Sequence, residues 1–158
     1  SGLAPERLEL EVTETALLDD KSLTARYIEE LKALGVRIAL DDFGTGYSSL
    51  SYLHKLPLDK VKIDRSFVLD LGQNSRSLAL LKSVVALCRS LGLSVTIEGV
   101  ETFEQLKLLA LHVRPDLAQG FLFGSALSAH GIETMSAIVW HFDKELSAAS
   151  RPPHRFPF

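Results

Sequence analysis

Leu34-Gly35-Val36-Arg37-Ile38-Ala39-Leu40-Asp41 closes a helical pattern on leucine, turns on glycine and enters a β-type run that ends on an acid. The pattern returns as Leu91-Gly92-Leu93-Ser94-Val95-Thr96-Ile97-Glu98, with its glycine 57 positions after Gly35. A glycine after a closing leucine is the expected left-handed C-cap of a helix, since without a Cβ it adopts positive φ at little cost. The interval is about two strand-helix units, so the fold repeats itself. Around these two copies, β-type segments at 8–12, 36–41, 60–64, 94–98 and 117–121 alternate with longer helical patterns. That alternation is the mark of an α/β fold with a parallel sheet. Apolar residues three and four apart define the helix stripes: Leu23, Tyr27, Leu31 and Leu34; Leu81, Val84, Val85, Cys88 and Leu91; Ile132, Met135, Val139, Phe142 and Leu146. Shorter helices are expected after Ser48 and after Thr102, where Gln105 stands at capping-box distance.

Residues two apart in a strand share a face, and here one face is polar. Leu8, Leu10 and Val12 oppose Glu9, Glu11 and Thr13; Ile38 and Leu40 oppose Ala39 and Asp41. Val61 and Ile63 oppose Lys60, Lys62 and Asp64; Val95 and Ile97 oppose Ser94, Thr96 and Glu98. An open sheet covered by helices on both sides is apolar on both faces, whereas a barrel packs one face on its helices and lines a mouth with the other. The pattern therefore favours a (β/α)8 TIM-barrel type of fold. The last polar residue of each strand, Glu11, Asp41, Asp64 and Glu98, lies at the carboxyl end where barrels carry their active sites, so the four are expected to converge. Together with Asp42 they repel one another unless cations compensate, and Lys62 alone is not enough. Oxygen ligands without Cys or a paired-His spacing point to Mg²⁺ or Mn²⁺, and adjacent aspartates can serve two ions.

Composition sets limits on function. The chain has 158 residues, 46% hydrophobic and 23% charged, with 17 Lys plus Arg against 20 Asp plus Glu and a net charge of −3, as expected of one globular domain. No apolar run reaches the roughly 18 to 20 residues of a membrane span. No basic block offers a footprint for duplex nucleic acid. One cysteine, Cys88, suits a reducing, cytoplasmic setting and excludes a disulfide framework. The proline-rich residues 150–158 are expected to form a flexible tail. The five histidines show no ligand spacing.

Glu11-Val12-Thr13-Glu14, Asp41-Asp42-Phe43-Gly44-Thr45-Gly46-Tyr47-Ser48-Ser49-Leu50, Lys62-Ile63-Asp64, Glu98-Gly99-Val100-Glu101-Thr102 and Gln119-Gly120-Phe121 together resemble the EAL-domain family of bacterial cyclic-di-GMP phosphodiesterases. Five motifs in the right order, spread over roughly residues 6 to 127, carry the resemblance. It implies a metal-dependent hydrolase that converts cyclic-di-GMP to linear pGpG with two Mg²⁺ or Mn²⁺ ions. By that resemblance Glu11 and Asp41 bind one metal, while Asp41, Asp42 and Glu98 bind or water-link the second. Lys62 would orient the attacking water, Asp64 support the metal site, Glu14 anchor the loop after Asp42, and Gln119 contact the nucleotide. An upstream sensor or GGDEF-type domain in the cytoplasm or at a membrane-anchored parent belongs to the same implication; a homodimer or larger assembly is expected from the bare strand edges of a partial barrel, with that loop as an additional contact by resemblance.

Departures from the family pattern matter too. The Glu-Ala-Leu motif and the upstream metal-binding Asn are absent, and five strand units in 158 residues compare with eight in about 250 for a complete barrel. Residues 1–149 are therefore expected to be the C-terminal part of an EAL domain, a partial barrel. His112-Val113-Arg114-Pro115-Asp116 replaces the usual Gly-Cys-Asp approach to the last motif, and Ala126 replaces a usual proline. Two alternatives to catalysis stay open: a receptor that binds cyclic-di-GMP without hydrolysing it, and an interaction module with exposed strand edges. Phe43 and Tyr47 could stack on guanine or pack within the loop, and Glu101 could serve the site or only the helix that follows it.

Overall fold

The computed structural model of the chain describes residues 2–19, 21–45, 50–72 and 74–134. Five strands form one sheet: β1 (Glu9–Thr13), β2 (Arg37–Phe43), β3 (Lys60–Ile63), β4 (Ser94–Ile97) and β5 (Leu117–Ala118). All neighbours are parallel and the spatial order is the chain order. A doubly wound sheet reverses direction at a switch point, so this unreversed order is that of a barrel wall. The helices are α1 (Ala16–Asp19), α2 (Lys21–Ala33), α3 (Leu50–Lys55), α4 (Ser66–Leu69), α5 (Ser75–Ser90), α6 (Phe103–Leu108) and α7 (Ala129–Thr134). A π-helical turn, Leu109–Val113, extends α6. Thr102 and Gln105 form the expected capping box, and Gly35 and Gly92 take the expected positive φ of 92° and 77°.

The core lies between the sheet and the helices. Ile38, Leu40, Val61, Ile63, Val95 and Ile97 from the strands meet Ile28, Leu81, Val85 and Cys88 from the helices, and burial pushes the Cys88 thiol up to about 11. The stripe expected for α2 is a correction. Leu23, Tyr27 and Leu34 are exposed, and Ile28 takes the buried position with Leu31 partly covered beside it. The helix is thus rotated by about one residue from its apparent stripe, so that the β-branched Ile28 faces the sheet. Leu91 is likewise exposed at the end of an otherwise buried α5 stripe, and Phe43 is a core residue at 4% exposure, which removes it as a guanine-stacking candidate. In the last stripe Ile132 is exposed; Met135 to Leu146, the tail at 150–158, and Gly46 to Ser49 with Tyr47 lie outside the described residues.

The repeat seen in the sequence extends to the amino ends of the strands. Asp59, just before β3, accepts the Ile38 N–H at 2.7 Å and pairs with Lys32 of α2 at 2.6 Å. Asp116, just before β5, accepts the Val95 N–H at 2.8 Å and pairs with Arg89 of α5 at 3.7 Å. Each member of the second set stands 57 positions after its counterpart, as Gly92 does after Gly35. Burial pushes the Asp59 carboxyl up, but Lys32 and the Ile38 N–H outweigh it and hold the group below its ordinary value. These clamps tie helix, strand and neighbouring strand together on the side away from the mouth.

Candidate metal centre

Alternation places Glu9, Glu11, Arg37, Asp41, Lys60, Lys62 and Glu98 on the concave face, where they form two layers of charge. In the lower layer Glu9 pairs with Lys60 at 2.5 Å and with Arg37 at 3.0 Å. In the upper layer the Lys62 ammonium, 7% exposed as a residue, meets Glu11 Oε2, Asp41 Oδ1 and Glu98 Oε1, each at 2.9 Å. Burial pushes the Lys62 ammonium down, but hydrogen bonds to Glu98, Asp41 and Glu11 outweigh it and raise the group above its ordinary value. One lysine thus pairs with three of the expected acids, more than the sequence led us to expect.

Asp42 reaches the same place by a different device. Strict alternation would send it to the face opposite Asp41. Instead, β2 pairs with β3 through Leu40 with Val61 and then Phe43 with Ile63, which leaves one extra residue on β2. Asp42 has a φ of 55°, and this bulge turns its carboxylate toward its neighbour's. Oxygen atoms of Asp41, Asp42 and Glu98 lie within 4.8 Å of one another. Asp41 Oδ1 is buried and, its ion pair with Lys62 aside, accepts no hydrogen bond. A cluster of carboxylate oxygens within 4.8 Å of one another, with no sulfur or imidazole donor among them, fits a hard divalent cation such as Mg²⁺, Mn²⁺ or Ca²⁺.

Asp64 does not join the cluster. Its Oδ1 accepts the Ser66 N–H at 2.9 Å at the start of α4. Burial pushes its carboxyl up, but the bonds from Ser66 outweigh that and hold it below the ordinary value. It lines an open cavity of about 320 Å³ shared with Arg65, Glu98, Glu101, Gln119 and Ser125. Gln119 therefore stands beside Glu98 on the β5 side of the mouth. Glu14 is buried, with Oε2 3.4 Å from the Gly44 N–H that follows Asp42. Arg65 was not singled out from the sequence; its place directly after Lys62-Ile63-Asp64 at a strand end was the available signal.

The EAL domain profile matches residues 1–126. The chain belongs to the EAL domain family. Among relatives of this EAL chain, the cyclic di-GMP phosphodiesterase NbdA of Pseudomonas aeruginosa is 45% identical over 133 residues, covering 84% of the chain and 17% of NbdA. The phosphodiesterase MucR of the same organism, solved in complex with c-di-GMP, superposes with a TM-score of 0.75 at 44% identity, covering 82% of this chain and 52% of that one. BlrP1 of Klebsiella pneumoniae, solved with manganese and cyclic-di-GMP, gives a TM-score of 0.72 at 40% identity over 77% of this chain and 31% of that one. The chain thus spans under a fifth of the length of NbdA and about half of the solved MucR chain. Among the described residues no helix is long and apolar enough to cross a membrane.

Proposed function

We propose that this chain is the C-terminal part of an EAL domain that hydrolyses cyclic-di-GMP to linear pGpG. The observation that carries the reading is the convergence of Glu11, Asp41, Asp42 and Glu98 around Lys62 at the carboxyl ends of neighbouring barrel strands. The names of the phosphodiesterases NbdA and MucR support it, and the BlrP1 complex with manganese and cyclic-di-GMP supports the ligand and metal. Asp41, Asp42 and Glu98, with Glu11, would hold two divalent ions, Mg²⁺ or Mn²⁺. When bound, such ions supply positive charge that polarises the scissile phosphate and makes water acidic enough to attack near neutral pH. Lys62 gives its three N–H donors to Glu11, Asp41 and Glu98, and it would turn one of them to the water on the side of Glu11 and Glu98 once those carboxylates hold the ions. Asp64 fixes the loop after β3, Glu14 holds the loop after Asp42 through the Gly44 N–H, and Gln119 contacts the nucleotide in the cavity. In the reaction the water oxygen bonds to phosphorus, the bond from phosphorus to the 3′ oxygen breaks, and that oxygen takes the proton.

The same reading includes a homodimer and, as in the bifunctional diguanylate cyclase/phosphodiesterase MucR, a GGDEF-type or sensor domain upstream. The test is conversion of cyclic-di-GMP by the complete domain with Mg²⁺ or Mn²⁺, followed by chromatography. One pGpG formed per cyclic-di-GMP consumed is expected. Tight binding without turnover under both metals would overturn hydrolysis in favour of a receptor.

A further inference from the structure

We propose that Gln105 is a positioning residue that fixes the Glu98 loop against α4 and thereby sets where Glu98 stands relative to Asp64; this rests on the phosphodiesterase reading above. Gln105 Oε1 accepts the backbone N–H of Glu101 at 2.9 Å and of Thr102 at 3.0 Å. Those bonds, with the Gln105 N–H given to Thr102 Oγ1 at 3.2 Å, complete the capping box of α6. The other end of the same amide does something a capping box does not require. Its Nε2 donates at 3.3 Å to the carbonyl of Val68, a fully buried residue of α4 that lies 37 positions earlier. Because Asp64 Oδ1 accepts the Ser66 N–H at the start of α4, the chain of contacts runs from the β3 acid through α4 and Gln105 to the loop that begins at Glu98. The Glu98 N–H already donates to the Ile63 carbonyl at 3.0 Å, and the Gln105 amide adds a second tie, from α4 to the loop that follows Glu98.

The chemistry of the amide separates this role from capping. Glutamate accepts the Glu101 and Thr102 N–H groups as well as glutamine does, yet it has no N–H for the Val68 carbonyl and presents a second oxygen to it instead. Gln105→Glu therefore keeps the cap and breaks the tie, Thr102→Val removes an acceptor of the cap and keeps the tie, and Gln105→Ala loses both. In the complete domain, Gln105→Glu should lower kcat about tenfold and raise the Mn²⁺ concentration for half-maximal rate several-fold, with KM for cyclic-di-GMP little changed. Its Tm should fall by only a few degrees, as for one part-buried hydrogen bond, whereas Thr102→Val should lower Tm at least as far and keep kcat within about twofold. Wild-type kcat and metal dependence in Gln105→Glu, or losses that follow Tm across all three variants, would overturn the proposal. Amide hydrogen exchange at residues 98–102 is read in the same samples without substrate. Faster exchange in Gln105→Glu than in Thr102→Val supports the tie even where the wild-type domain proves inactive, which would sink only the phosphodiesterase reading; equal exchange in Gln105→Glu and wild type would overturn the tie itself.

Discussion

Lys62 holds three carboxylates at 2.9 Å, and its removal would leave them facing one another across the mouth. The side chains of Asp41 and Glu98 are 19% and 20% exposed but that of Glu11 is 47% exposed, so hydration offsets part of the repulsion. Lys62→Met should therefore destabilise the metal-free domain by about 2 kcal/mol, below the range for stranding a fully buried charge. Added Mn²⁺ should recover much of that loss, because a cation bound only by the native state stabilises it. Urea denaturation with and without metal checks both points, and an unchanged midpoint without metal would deny Lys62 this role. Cys88 gives a pH test at the same scale. Its folded thiol titrates near 11 against an ordinary 9.0, so between these values the unfolded chain has released a proton that the native state keeps. Stability should thus be fully present below about pH 9 and fall by up to about 1.4 kcal/mol per pH unit toward 11, with Cys88→Ala lacking that component. The acids at strand ends were legible in the sequence because alternation along a strand is rigid. The bond that Asp64 accepts from the Ser66 N–H was not, since one carboxylate at a strand end can face the mouth or turn back onto the next helix, and only that N–H decides between them.

The bulge in β2 brings adjacent aspartates to one site, and the turn behind it is built to match. Gly44 has a φ of 102°, and a Cβ placed there would lie 2.2 Å from Phe67 Cε2 of α4. Gly44→Ala should cost about 2 kcal/mol or more, from backbone strain and this overlap together. In a double-mutant cycle Phe67→Ala should relieve the steric part and leave the strain, giving a coupling energy that favours the pair. Strict additivity would remove Phe67 from the explanation. The bulge itself could not be read from Leu40-Asp41-Asp42-Phe43, because the extra residue is defined by the partner strand's register and not by local pattern. The same limit explains α2. Two overlapping apolar stripes, one through Leu23, Tyr27 and Leu34 and one through Ile28, satisfy the helical period, and contact with the sheet alone selects the second. The five strands and the capping box at Thr102 were legible because glycine turns and an N-cap beside Gln105 are local chemistry.

Among the described residues five neighbouring strands form part of a wall that closes with eight in a complete barrel, and its order and repeat were readable from the 57-residue echo. β1 and β5 each have a strand on one side only among the described residues, and Leu117 and Phe121 near β5 are 53% and 74% exposed. Unpaired edges beside uncovered apolar side chains favour pairing with another chain. The isolated 158-residue chain should therefore form dimers or larger assemblies in light scattering at micromolar concentration, and a folded monomer would contradict the edge argument. The same chain should convert cyclic-di-GMP at no more than a trace rate, with robust pGpG formation as the opposing result. Hydrolysis requires that the acids around Lys62 bind metal, and this is measured directly by titrating Mn²⁺ into the metal-free complete domain while following the electron paramagnetic resonance signal of free Mn²⁺. Saturable uptake of about two ions per domain is expected, with at least about a tenfold loss of affinity in Asp41→Asn at unchanged circular dichroism; no saturable uptake, or equal uptake by Asp41→Asn, would contradict the metal centre.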